Sequence, residues 1–391
     1  MAPSSFLLRL SVLLLLAHLY VALRLFVAAF GTPLQWAVPV ALLLLYLLIL
    51  AGLFVRGVVG ERLGDVMAWL SFLLLGYFSW LFVLTVLRDV ALLVVEVSAA
   101  VAPSVLGVVA GRAGTDTAIG VPLLALAAVL LGLFNARRAP RVLDVRIPIA
   151  GLPKSLLGFT IVQISDLHVG PTIKKRYVQS VVDIANRLKP DVIALTGDFV
   201  DGSLERLARH VRPLAQLQAR LGVYFVTGNH EYYCGVQQWL PEFRRLGFQV
   251  LMNEHRVLRC GGANLVIAGV TDFGAARFDA EQATSPAKAL QGAPANAAVR
   301  VLLAHQPRSA PEAAAAGFDL QLSGHTHGGQ FWPWQYLVLL RQPFVAGLHR
   351  VDQLFVYVSR GTGYWGPPMR FGARSEISCV RLEDATVARK S

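Results

Sequence analysis

The first 135 residues constrain this chain most, because they hold apolar runs too long for an ordinary soluble fold to bury. Leu10 to Phe30, Trp36 to Val55 and Ala118 to Phe134 are stretches of 17 to 21 residues, and Val66 to Val97 is longer still, interrupted by Arg88, Asp89 and Glu96. Crossing hydrocarbon takes about 20 predominantly apolar residues, and a helix is the one single-segment structure that satisfies every backbone group there. Residues 1–135 therefore read as a transmembrane helical domain with helices at 10–30, 36–55, 66–97 and 118–134, the third projecting from the bilayer. If Ala91 to Gly111 re-enters as its own span, the count becomes five. The whole chain is 55% hydrophobic and only 15% charged, which excludes a single soluble globule at 391 residues. A cleaved signal peptide fits poorly: the leading segment carries only Arg9, no small-residue cleavage site precedes Gly31, and more spans come after it.

Basic residues give the expected orientation. With four spans, Arg9, the loop with Arg56 and Arg62, and the exit with Arg137, Arg138 and Arg141 share one side. The opposite loops offer nothing from Gly31 to Gln35 and only Arg112 in the other. Lysine and arginine favour the cytoplasmic face, so the chain beyond the last span is expected on that side. Within the spans His18, Arg24 and the Arg88/Asp89 pair are costly in hydrocarbon. Arg24 and Arg88 lie near enough to span ends to snorkel, whereas His18 sits near a helix centre. Cys234, Cys260 and Cys379 are odd in number and lack C-x-x-C spacing, so neither a disulfide framework nor a zinc knuckle is indicated.

After a basic connector at 136–141, residues 142–391 change character. Five motifs succeed one another: Asp166-Leu-His168, Gly197-Asp198, Gly228-Asn229-His230-Glu231, His305 and Gly324-His325-Thr326-His327. Each closes a segment that reads as a buried strand: Phe159–Ser165, Asp191–Thr196, Val223–Thr227, Arg300–Ala304 and Phe318–Ser323. Short runs of Val, Ile, Leu and Phe with helical stretches between several of them indicate an α/β core whose sheet is covered on both faces. In such sheets polar groups collect beyond the carboxyl ends of the strands, so motifs distant in sequence converge on one rim. Glycine precedes Asp198, Asn229 and His325, where the backbone must turn sharply. The motifs supply seven oxygen and imidazole ligands and one spare histidine, the inventory of a site for two divalent ions. A lone Asp-x-His or His-x-His would carry little weight; the ordered series carries much more.

From about Val142 to the C-terminus the chain resembles the calcineurin-like metallophosphoesterases, every metal motif of that family being present in order. The resemblance implies a four-layer α/β/β/α domain. It makes Asp166, His168, Asp198 and His327 ligands of one metal, with Asp198 bridging to a second held by Asn229, His305 and His325. It also places His230 beside the scissile phosphate, as a catalytic residue that stabilises phosphoryl oxygens or protonates the leaving group. The stretch Gly328-Gly329-Gln330, then Ser359 to Phe371, looks like the subgroup that joins this domain to membrane helices. Mixed carboxylate, amide and imidazole ligands suit Mn, Fe or Zn better than Mg or Ca, and Mn is the expected cofactor. Arg370, and behind it Asn253 and Arg360, are candidates for binding substrate phosphate.

Charge and composition bear on partners. Met1 to Asn135 carries six arginines against five acids, a net of +1, leaving +11 of the total +12 to the second half. A basic domain tethered to a membrane is drawn to anionic headgroups, and a phosphate-rich substrate accounts for the charge equally well. No RNA-binding aromatic signature, zinc finger or helix-turn-helix pattern points to nucleic acid. Ala275 to Ala298 reads as an exposed loop with a short helix. Four helices joined to such a site favour a lipid-linked phosphate ester. The alternatives are an anchored enzyme acting on a soluble ester and a non-catalytic scaffold or transporter that senses phosphate.

Overall fold

The computed structural model describes residues 3–29, 31, 35–55, 59–101 and 103–385. Phe30 at the end of the first apolar run and Arg56 of the first basic loop lie outside the described residues, as does the side chain of Arg112. Packing divides the chain into two units, Met1–Phe134 with Gly366–Met369, and Asn135–Trp365 with Arg370–Ser391. Grouping Gly366–Met369 with the helices departs from the sequence boundary. The reason is local: Met369 fills space beside Gly76 and Gly132, where a Cβ would meet its side chain.

The helices of the first unit are α1 (Pro3–Ala29), α2 (Ala37–Val55), α3 (Glu61–Val101) and α4 (Pro103–Arg137). All four are long and apolar enough to cross a membrane. At 41 residues α3 rises about 60 Å, roughly twice the hydrocarbon thickness, so part of it stands outside the bilayer. Large apolar side chains point outward, Leu13 at 65% exposure and Leu124 at 60%, as lipid requires and water would penalise. Arg24 and Arg88 converge on one carboxylate. Both pair with Asp89, at 2.7 and 3.1 Å, and Tyr20 Oη donates to the same carboxylate at 2.6 Å. Mutual pairing lowers the cost of charge at membrane depth. His18 stacks on Phe78 with ring centroids 3.4 Å apart, and its Nδ1 lies 2.8 Å from the Leu14 carbonyl.

In the second unit the strands are β1 (Arg141–Ile149), β2 (Thr160–Ile164), β3 (Val192–Thr196), β4 (Val223–Val226), β5 (Gln249–Val250), β6 (Glu254–Cys260), β7 (Ala263–Gly269), β8 (Val299–Leu303), β9 (Leu320–Ser323), β10 (Gly347–Val351), β11 (Leu354–Val358) and β12 (Glu376–Asp384). They form two six-stranded sheets, ordered β1-β12-β2-β3-β4-β5 and β10-β11-β9-β8-β7-β6. β2 to β5 run parallel, as do β7, β8, β9 and β11, while β12 is antiparallel to β2. The helices here are α5 (Lys175–Arg187), α6 (Leu204–Val211), α7 (Asn229–Tyr233), α8 (Val236–Arg245), α9 (Pro286–Ala289), α10 (Ala310–Ala315) and α11 (Gln335–Val338).

Side chains alternate across each strand, and here both faces are buried. Ile161, Val192 and Tyr224 of the first sheet meet Ile267, Val301 and Leu322 of the second in the inner core. On the outer face of the first sheet, Val162, Ile193 and Phe225 lie against Val178 and Val181 of α5 and Trp239 and Phe243 of α8. Outside the second sheet, Ala268 and Leu302 meet Ala310 and Ala313 of α10. The result is the four-layer α/β/β/α arrangement. The fully buried Gln163 ties the two sheets together, donating from Nε2 to Thr196 Oγ1 and to the Ser323 carbonyl, each at 2.9 Å. With β2, β3 and β9 held in this way, their carboxyl ends form one shared rim.

Candidate metal centre

All eight sequence-selected residues of the five motifs lie on that rim. β2 delivers Asp166 and His168, β3 delivers Asp198, β4 runs into α7 with Asn229 and His230, β8 delivers His305, and β9 delivers His325 and His327. The turns are forced by close approach. A Cβ on Gly197, at φ +85°, would lie 2.6 Å from the Gly228 nitrogen, and one on Gly324 would strike Ser165 and the Asp166 carboxylate. Five of the side-chain bearers themselves take left-handed backbone: Asp166 (φ 53°), His168 (50°), Asp198 (56°), His325 (69°) and His327 (52°). Non-glycine residues adopt that region at a cost of roughly 1–3 kcal/mol each, and such strain collects at functional sites.

Hydrogen bonds hold the carboxylates in place. Both oxygens of Asp166 accept from the His325 amide, at 2.9 and 3.1 Å. Asp198 Oδ1 accepts from the His230 amide at 2.8 Å, which leaves Oδ2 facing inward, 3.1 Å from His305 Nε2 and 3.9 Å from His168 Nε2. Glu231, fully buried, accepts from the amides of Asp198 (2.9 Å), Phe199 (2.7 Å) and Gly228 (2.7 Å) and so locks the Gly-Asp turn to the Gly-Asn turn.

Two further residues act on the histidines. One Asp201 oxygen lies 3.0 Å from His168 Nδ1 and 2.6 Å from His230 Nδ1. Accepting both protons fixes both rings with Nε2 turned inward. Sequence reasoning missed Asp201; its spacing of three from Asp198 was the available signal. The other residue is Arg370, and here the sequence reading is corrected. Its guanidinium is wholly buried and donates to the carbonyls of Gly363, His327 (2.8 Å) and Arg360 (2.7 Å), so it braces the loop behind His327 and cannot meet substrate. Asn253 is likewise committed, donating to the Ala283 carbonyl and accepting from the Ser285 amide, both at 2.9 Å, and Arg360 pairs with Glu376 at 3.2 Å.

Three groups of donor atoms each lie within 4.8 Å of one another: Asp166, His168 and His327; Asp198, His305 and His325; and His168, Asp198 and His230. Asp198 belongs to the second and third groups, and His168 to the first and third. Charge is finely balanced there. Burial would raise the pKa of Asp198, but His305 and His230 outweigh it and hold the carboxylate well below the usual range. Burial tends to lower His305, and Asp198 reverses this, holding it well above an ordinary histidine. Burial and then His305 push His325 down to about 3, while burial, His168 and Arg370 depress His327. Those two rings are therefore neutral and keep lone pairs for a cation.

The donor set fits divalent ions. His168 Nε2 and His327 Nε2 are 3.0 Å apart, and His305 Nε2 and His325 Nδ1 are 3.2 Å apart, so ring nitrogens crowd together around carboxylates. The buried Asn229 Oδ1 has no hydrogen-bond partner, an orphaned oxygen of the kind a hard cation satisfies. His230 has its side chain 14% exposed, edge-on to the exposed rings of Tyr233 (centroids 5.3 Å apart) and Trp365 (5.7 Å). Against the effect of burial, Asp198 and the Asp201 hydrogen bond raise its pKa to about 9.

A two-sheet α/β sandwich with paired carboxylate and imidazole ligand sets across its rim defines the metal-dependent phosphoesterase class. Residues 159–329 match the Calcineurin-like phosphoesterase family. The chain is 40% identical over 286 residues to "Transmembrane protein with metallophosphoesterase domain" of Danio rerio, covering 71% of this chain and 65% of that one. It is 41% identical over 267 residues to the protein of the same name from Bos taurus, covering 66% and 60%. A metallophosphoesterase of Aquifex aeolicus is 36% identical over 262 residues, 66% of this chain and 97% of that one. The chain thus spans just under two thirds of the two vertebrate relatives it matches. It belongs to the calcineurin-like metallophosphoesterase family.

Proposed function

We propose that this protein is a membrane-anchored phosphoesterase that uses two divalent ions, Mn in the first instance, to hydrolyse a phosphoester bond of a lipid-linked substrate, with its catalytic unit on the cytoplasmic side. The observation that carries the reading is Asp198, whose inward oxygen lies within 3.9 Å of imidazoles from both ligand sets. Asp166, His168, Asp198 and His327 would hold one ion, and Asp198, Asn229, His305 and His325 the other. Such ions supply charge neutralisation for a phosphoryl group and a water made nucleophilic near neutral pH.

The chain's own residues do the rest. Asp201 turns His230 so that Nε2 faces inward, 3.9 Å from Asp198 Oδ2, and a ring protonated there donates to a phosphoryl or leaving-group oxygen. Glu231 keeps Asp198 and the start of α7 in register, and Arg370 keeps His327 in place. The exposed rings of Tyr233 and Trp365 beside His230, with Phe278 packed on Tyr233, suit an apolar leaving group, which together with four apolar helices supports an amphiphile as substrate. The clustering of basic residues on one side of the spans supports the cytoplasmic assignment.

Purified full-length protein, stripped with chelator and reloaded with Mn, Fe or Zn, should hydrolyse bis(p-nitrophenyl) phosphate only when reloaded. Absence of turnover with all three metals, at confirmed metal occupancy, would overturn the enzymatic reading. Lipid extracts from cells lacking the protein should accumulate its substrate.

A further inference from the structure

A second polar feature of the catalytic unit lies apart from the ligand cluster. Where edge strand β1 of the first sheet and edge strand β10 of the second part company, they leave a cavity of about 580 Å³, and none of the eight motif residues lines it. Four arginines line this space, Arg141, Arg146, Arg360 and Arg374, against two acids, Asp144 and Glu376.

Those acids are already committed. Glu376 accepts from Tyr357 Oη at 2.7 Å, pairs with Arg360 at 3.2 Å and accepts from Ser378 Oγ at 3.2 Å. Asp144 pairs with Arg381 at 2.7 Å and with Arg146 at 3.7 Å. Arg141 and Arg374 are left with no ion pair to a described residue. The backbone nonetheless holds them on one cavity, through the bond from the Arg141 amide to the Ser375 carbonyl at 2.9 Å. Two unmatched guanidinium groups repel each other and present planar forks of donors, the geometry that recognises phosphate.

The lining carries an excess of two positive charges, four guanidinium groups against two carboxylates. That matches a phosphomonoester dianion better than a single carboxylate. The volume is within the range of about 300–1,000 Å³ typical of small-molecule sites, so there is room for the group that carries the phosphate. Leu143 and Leu348, the latter 41% exposed, offer that group an apolar wall. We propose that this cavity is a binding site for a phosphomonoester, separate from the metal centre, its two unpaired arginines Arg141 and Arg374 gripping the phosphate. The phosphate can come from a lipid headgroup or from a soluble ester. The proposal does not depend on the protein's being a hydrolase, because binding is read without turnover.

The test uses the full-length chain in neutral detergent with three soluble probes: dihexanoyl phosphatidic acid, glycerol 3-phosphate and dihexanoyl phosphatidylcholine. Binding is measured by calorimetry, with all proteins stripped of metal by chelator so that the metal centre's own affinity for phosphate is removed, for wild type, for Asp198→Ala, and for Asp198→Ala with Arg141→Gln and Arg374→Gln. At least one phosphomonoester should bind Asp198→Ala ten-fold or more tightly than phosphatidylcholine does, and the added arginine changes should abolish that preference. Phosphatidic acid binding alone identifies a lipid headgroup; glycerol 3-phosphate binding as tightly identifies a soluble ester. Should the glutamine variant unfold, Arg141→Lys with Arg374→Lys keeps the charge, loses the fork, and should still weaken binding several-fold. No phosphomonoester binding to Asp198→Ala, or binding unchanged by every arginine variant, would overturn the proposal.

Discussion

Asp198 is the residue on which the site turns, because one of its oxygens organises α7 while the other stands between two imidazole sets. Asp198→Ala should abolish hydrolysis and reduce bound metal from two ions, as measured by elemental analysis of the purified variant; full occupancy with near-native turnover would sink the bridging role. His230 should behave differently. His230→Asn is expected to keep both ions while kcat falls by roughly 10²- to 10⁴-fold, with less loss on esters whose leaving groups need no proton. Metal loss as deep as in His325→Ala would make His230 a ligand instead, the alternative that its 3.9 Å approach to Asp198 keeps testable. Asp201 supports both a ligand and this histidine through one oxygen. Asp201→Asn should therefore lower metal affinity by about 10- to 100-fold, the usual effect of losing a carboxylate behind a ligating histidine, and depress kcat as well. A variant indistinguishable from wild type in both titrations would refute the assignment. At this scale the motifs were legible because each is a short run of chemically unusual residues after an apolar one. Asp201 and Arg370 were not, since their roles are set by hydrogen bonds to residues 30 or more positions away, or to carbonyls that no side-chain pattern reveals.

At the scale of elements, the strands bearing the motifs could be read because they are buried on both faces and so are written in Val, Ile, Leu and Phe. Their ends fall within two residues of the sequence estimates, β2 at Thr160–Ile164 and β8 at Val299–Leu303 among them. β1, β6 and β10 are edge strands with polar residues interleaved, and nothing local marks RVLDVRIPI as the partner of a strand far along the chain. The insertion of β12 between β1, to which it is parallel, and β2, to which it is antiparallel, joins residues over 200 positions apart, a tertiary choice that local pattern does not encode. Glu231 welds two turns from neighbouring strands, and that makes it a test of element geometry. Glutamine keeps the shape but turns one acceptor into a donor facing an amide. Glu231→Gln should destabilise the unit by about 1–3 kcal/mol. Chemical denaturation should show a lower midpoint, and an unchanged midpoint would mean that the Gly-Asp turn stands without it.

On the scale of the whole molecule, the question is what the helices contribute. Four candidate spans, an even number, would return the chain to the side on which it began, and the arginine bias near the span ends is the basis for our proposal that this side is the cytoplasm. Reporters fused after Leu34 and at the C-terminus should give opposite readings, and matching readings would refute the four-span topology. Only residues 138–140 separate α4 from β1. Every ligand of the proposed metal centre, however, belongs to the second unit. A chain truncated to begin at Asn135 should therefore hydrolyse a small soluble phosphodiester about as well as the full-length protein. On a bilayer-embedded lipid ester it should lose much of its kcat/KM, because the tether that raises local concentration and fixes orientation is gone. Equal efficiency of the two proteins on every membrane-derived phospholipid would count against a lipid substrate, making the helices an anchor for an enzyme that acts on soluble esters.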